Sequence, residues 1–117
     1  MPEMYFLYYE EHDWCEQIKR KGYEMFFVGT SSVIHKESVS TGGDESYLKV
    51  HYLNRNRLLF MRRNFHGFPF VIGIIFLFLF ALPKKVLLYL SRGNLNLVKA
   101  LINGIAWNLS NPKIGNA

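Results

Sequence analysis

Residues 4–28 read MYFLYYEEHDWCEQIKRKGYEMFFV. Residues 4–9 are an aromatic-rich run of the kind that forms a buried strand. From Glu10 the period changes. Trp14, Ile18 and Lys21 fall three or four apart, with Glu10, Glu11 and Asp13 leading and Lys19, Arg20 and Lys21 closing. Acids first and bases last is the order that complements a helix dipole, and Gly22 supplies a left-handed stop. Residues 23–28 read as a second strand. The stretch therefore predicts strand, helix, strand, and with them an α/β fold. Gly29, Thr30 and Ser31 turn the chain, Val33 and Ile34 lead a short extended piece into His35, and Thr41, Gly42 and Gly43 close the unit as a loop.

Outward from that unit, residues 44–66 predict a helix. Tyr47, Val50, Leu53, Leu58 and Met61 share a broad apolar face, and Lys49, Arg55, Arg57, Arg62 and Arg63 supply cations. Such a helix docks on its own domain or lies in a membrane interface. Residues 68–82, FPFVIGIIFLFLFAL, are fifteen residues without a charge. As a helix they reach roughly 22 Å, against a hydrocarbon core of roughly 30 Å. Lys84 and Lys85 can snorkel and let residues 86–90 add length, while Pro83 is expected to kink the helix. Arg55, Arg57, Arg62 and Arg63 precede the run and Lys84, Lys85, Arg92 and Lys99 follow it. That symmetry gives no orientation by the positive-inside rule, and it suits a re-entrant or in-plane segment as well as a kinked span. Leu95, Val98, Leu101, Ile102 and Ile105 then predict an amphipathic helix over residues 94–107.

Composition agrees with a membrane-associated chain. Half of the 117 residues are hydrophobic, the formal charge is +5, and no Asp or Glu follows Glu45. An evenly mixed soluble surface is excluded, and so is disorder, which needs low hydrophobicity. Nucleic acid is not an expected partner, because the cations flank an apolar run instead of forming a solvated stripe. The single cysteine, Cys15, excludes an internal disulfide framework and a cysteine-cluster metal site. The first residues lack the cationic and apolar regions of a signal peptide.

The densest polar cluster is Glu10-Glu11-His12-Asp13, set where a strand is expected to end and a helix to begin. Strand ends in open α/β sheets form ligand sites, and carboxylates at a helix N-terminus also serve simple capping. Further along stand VIHKES around His35 and YLNRNR over residues 52–57.

Taken in order, YYEEHDW, KRKGY, VIH and YLNRNR resemble the C-terminal part of the family-2 glycosyltransferases, in particular the bacterial rhamnosyltransferase-like branch. The resemblance covers residues 4–66 well and the tail loosely. It implies an α/β fold: the C-terminal piece of a GT-A nucleotide-diphospho-sugar transferase over residues 1–43, a basic amphipathic helix over 44–66 and a membrane-associated helical tail over 67–117. It also implies an inverting transfer of a sugar from a nucleotide-sugar donor to a cell-envelope or lipid-linked glycan acceptor, at the cytoplasmic face of the bacterial inner membrane. Mapped residue by residue, it places the general base at Glu11, with Glu10, Asp13 and Trp14 shaping the acceptor site. It places His35 as a ligand of the divalent cation, Mg or Mn, on the donor diphosphate. His12 has no counterpart and receives no role.

Three positions depart from the pattern. Glu stands at position 11 where Asp is common, Gln17 where the helix usually carries Arg, and Gly29 where Pro is common. The longer Glu11 arm shifts a base by about an ångström, a displacement that can cost roughly 100-fold in rate. The family's nucleotide-binding half, with its Asp-x-Asp motif, would lie upstream of Met1, and the chain by itself is expected to be inactive. A reading of another class is a small membrane-anchored binding or scaffold protein without catalysis.

Overall fold

In the computed structural model the described residues are 3–32, 34 and 45–114. They are helical or irregular, and no strand occurs among them. After a single 3-10 turn at Glu3–Tyr5 come α1 (Glu10–Arg20), α2 (Tyr47–Asn64), α3 (Phe68–Phe76), α4 (Leu82–Ser91) and α5 (Leu95–Ser110), with a π-helical turn at Leu77–Ala81 joining α3 to α4. The expected α/β architecture, a C-terminal piece of a GT-A fold, is therefore corrected to a small all-helical arrangement. Both expected strands fail for one reason: a strand needs a neighbour to take its backbone N–H and C=O groups. Along residues 4–9 those groups go elsewhere. The Asn56 amide nitrogen donates to the carbonyls of Tyr5 (2.8 Å), Leu7 (2.5 Å) and Tyr8 (3.1 Å). Phe6, Tyr8 and Tyr9 adopt positive φ (59°, 67° and 72°), which coils the segment and removes it from strand geometry. Residues 23–28 form no ladder with any described segment, and Phe27 is 97% exposed. Val33, His35 and the loop over 41–43 lie outside the described residues.

The helices expected from periodicity are present. In α1, Gly22 (φ 82°) ends the helix, with its N–H on the Lys19 carbonyl and that of Tyr23 on the Ile18 carbonyl, the paired bonds of a Schellman cap. Helix α2 starts at Ser46, whose hydroxyl accepts from the Lys49 N–H at 3.2 Å. Its inner positions are Val50, Leu58, Leu59 and Met61, together with Asn54, Asn56 and Asn64. It docks on its own fold, against α5 above all. Helix α5 crosses it at Gly104, where a Cβ would collide with the His51 carbonyl oxygen and approach the Arg55 nitrogen at 3.1 Å. Val50, Leu77, Leu82, Tyr89, Leu97 and Leu101 are among the core residues that this crossing gathers.

Pro83 does not break the apolar helix. A proline removes one backbone donor and crowds the carbonyl of the preceding turn. Here the turn widens just before it, and the Leu82 N–H reaches back five residues to the Leu77 carbonyl. Phe68–Ser91 is thus continuous for 24 residues, about 36 Å at 1.5 Å per residue. It is longer than the uncharged run because the widened turn carries the helix through Pro83. Gly93 (φ 66°) then closes α4, and Asn94 both completes that cap and accepts from the Leu97 N–H at 3.3 Å to open α5.

Candidate functional site

The acidic motif is divided by the helix it starts. Asp13 points inward and is fully buried. Its carboxylate accepts from the Tyr5 hydroxyl (3.0 Å), the Asn64 amide (2.7 Å) and the Gln17 amide, and pairs with the Arg63 guanidinium at 3.0 Å. Both oxygens are used, and the residue clasps the start of α1 to the end of α2. Arg20 strengthens the same joint by donating to the Asn64 carbonyl at 3.0 Å. Burial, with the Asp13 charge beside it, pushes the Tyr5 hydroxyl well above its ordinary pKa, so the phenol stays a donor.

Glu11 lies on the other side of α1. It is exposed, and among the described residues its carboxylate has no hydrogen-bond or ion-pair partner. It borders an open hollow of about 260 Å³ shared with His12, Cys15, Glu16, Lys19 and Phe60. The i, i+4 spacing of helical positions 11, 15 and 19, with 12 and 16 beside them, brings these side chains to one face. Phe60 arrives from α2, and its ring meets those of Tyr9 (5.5 Å) and His12 (6.3 Å) to form an aromatic floor. Glu16 and Lys19 pair at 3.4 Å on the rim. An ionised carboxylate above an aromatic floor can accept a hydroxyl proton from a bound polyol while the ring packs against its C–H face.

The other expected site residues fall apart from this hollow. Glu10 is half-buried, with one carboxylate oxygen enclosed and unpartnered among the described residues. Trp14 is exposed and does not line the hollow, and Asp13 is committed to the clasp. His35 lies outside the described residues. Among the described residues no three His, Cys, Asp or Glu side chains converge to hold a metal ion, so the expected divalent cation has no described ligand set. Sequence reasoning passed over His12, Cys15, Glu16 and Lys19, although helical spacing from Glu11 points to all four. Phe60 carried no such signal, because only the docking of α2 brings it there.

A second surface is apolar. Phe68–Ser91 is long and apolar enough to cross a membrane, with a mean hydropathy of 2.3, and only 11% of its most apolar window is buried. A core helix of a soluble fold is mostly covered. This one presents Phe76, Leu79, Phe80 and Leu87 outward. No family model, no curated protein and no solved structure matches this chain.

Proposed function

We propose that this chain serves the acceptor end of an inverting, family-2-like glycosyltransferase, working at a membrane with a nucleotide-binding half that supplies the donor sugar. The order of YYEEHDW, KRKGY and YLNRNR supports this reading. The observation that carries it is the division of the acidic motif: Asp13 is consumed by the clasp, and Glu11 is left free beside a hollow with an aromatic floor. Glu11 acts as general base, taking the acceptor hydroxyl proton as the oxygen attacks the anomeric carbon and the nucleoside diphosphate leaves. The exposed helix Phe68–Ser91 holds the hollow near a lipid-linked or cell-envelope glycan, and the active side is the cytoplasmic face of the bacterial inner membrane. Any divalent cation belongs with the donor diphosphate.

The test joins this chain to a nucleotide-binding half bearing an Asp-x-Asp motif and follows sugar transfer to a membrane glycan. Glu11→Gln is expected to lower the rate by about 100-fold or more, the scale of a lost general base, and Glu16→Gln is not. Undiminished transfer by Glu11→Gln overturns the assignment.

The all-helical arrangement of the described residues favours a second reading, a membrane-anchored scaffold without catalysis. In that case no upstream half confers transfer, and Glu11→Gln changes nothing that can be measured.

A further inference from the structure

Two open cavities adjoin along the helix Phe68–Ser91, the first bounded by that helix, the end of α2 and the end of α5, the second by that helix and α5. The first, about 590 Å³, runs past Phe70, Ile74 and Phe78, and the second, about 410 Å³, continues past Phe78, Leu82 and Val86. Phe78 and Leu109 border both, so the two adjoin there and together make a trough. Its wall on the long helix is a stripe at every fourth residue from Phe70 to Val86, sixteen residues or about 24 Å. That exceeds half of a hydrocarbon core of roughly 30 Å, the depth of one leaflet. From α5 come Leu101, Ile105 and Leu109, and no charged side chain borders the inner cavity.

The outer end differs. Arg62, His66 and Asn108 border it. The Arg62 guanidinium is held by the carbonyls of Asn108 (3.1 Å), Asn111 (3.4 Å), Pro112 and Ile114 (3.3 Å) at the C-terminus of α5. None of these partners is a carboxylate. The helix end offsets about half an elementary charge, which leaves a net positive mouth. Among the described residues no Asp or Glu borders either cavity, and residues 46–117 contain ten Lys and Arg and no Asp or Glu. An apolar groove of lipid length with a cationic mouth matches a long hydrocarbon chain that ends in an anionic group.

We propose that the trough binds a lipid bearing a terminal phosphate, with its chain along the stripe from Phe70 to Val86 and its phosphate beside Arg62 and His66. The inference deepens the acceptor reading above and rests on its membrane placement. It requires no sugar transfer, so an empty trough leaves the Glu11 assignment standing, and failure of Glu11 leaves the trough standing.

The experiment uses the full chain in maltoside micelles with hexadecyl phosphate carrying a diazirine at the chain end. On irradiation the label is expected on Val86, Ile102 and Ile105, and not on the outward Phe76, Leu79 and Leu87. Unlabelled hexadecyl phosphate competes, hexadecanol competes about ten-fold less well, and inorganic phosphate does not compete. Ala106 and Ile102 border the trough from exposed positions, so Ala106→Trp and Ile102→Trp fill it without entering the core. Each is expected to cut labelling about ten-fold while circular dichroism stays unchanged. His66→Ala weakens competition by hexadecyl phosphate and leaves that by hexadecanol as it was. Label spread evenly over the outward face overturns the proposal. So does labelling unchanged in both tryptophan variants, or hexadecanol competing as well as the phosphate.

Discussion

The Asp13 carboxylate accepts the Asn64 side-chain amide at 2.7 Å across 51 residues of chain, with Arg63 closing on the same carboxylate at 3.0 Å. This contact joins the segment that carries the candidate base to the helical body, beside the Arg20 bond to the Asn64 carbonyl and the packing of His12 on Phe60. Removing Asp13 strands the part-buried Arg63 guanidinium, the Tyr5 phenol and the amides of Asn64 and Gln17 together. Asp13→Ala is expected to cost about 3 kcal/mol, at the low end for a broken buried pair because Arg63 retains some exposure. Hydrogen exchange should show amides of α1 exposed while those of α5 stay protected. Glu11→Gln, at an exposed position, should remain within about 0.5 kcal/mol of the parent.

Gly104 sets the distance between α2 and α5. A methyl group there meets the backbone at His51 and Arg55, which cannot yield as a side chain can. Gly104→Ala is expected to destabilise by about 1–3 kcal/mol, the range for overpacking a filled interface, despite the better helix propensity of Ala. Gly73 offers an internal comparison. Its nearest obstacle is the Met61 methyl at 2.7 Å, the flexible end of a side chain, so Gly73→Ala should cost clearly less. Urea midpoints of the two variants in the same detergent decide the order.

His51 makes stability depend on pH. Burial holds its pKa below the ordinary value and Arg55 adds to that, while a hydrogen bond with the Ala100 backbone opposes both. Below about pH 6.5 the unfolded chain takes up the proton first. The stability due to a neutral His51 is therefore present above that pH and is lost as the pH falls towards the depressed native value. His51→Gln should flatten this part of an unfolding series run from about pH 7.5 to about pH 5. An unchanged slope shows that other groups set it.

Membrane attachment is expected to depend on the outward face of Phe68–Ser91. Leu79 lies near the middle of that helix and is exposed. Leu79→Arg places a charge where the bilayer is driest, at about 2.5–3.5 kcal/mol on insertion scales. The variant should shift from the membrane fraction towards the soluble fraction, while an arginine at the already polar end, Ser91→Arg, should not. Equal partitioning of Leu79→Arg and the parent would mean that this face does not meet lipid.

Much of the architecture was readable along the chain, because a helix records its partners locally. The 3.6-residue spacing in α1, α2 and α5, the Gly22 stop and the long apolar run follow from neighbours three and four positions away, and those interactions need no distant contact. Strands carry no such guarantee. The aromatic runs over 4–9 and 23–28 fit a strand by composition, but strand pairing is a property of two segments, and the Asn56 amide takes the carbonyls that a ladder would have used. Around Pro83 the sequence pointed to a kink but not to the device beside it, a π-turn one step upstream that absorbs the lost donor and keeps the helix continuous. The candidate base was legible as a residue type, yet Glu11 and Asp13 look interchangeable in a string of letters. Folding alone separates them, because the turn of α1 sends one carboxylate to water and the other into a buried bond with Asn64, and only chain closure over 51 residues brings that amide within reach.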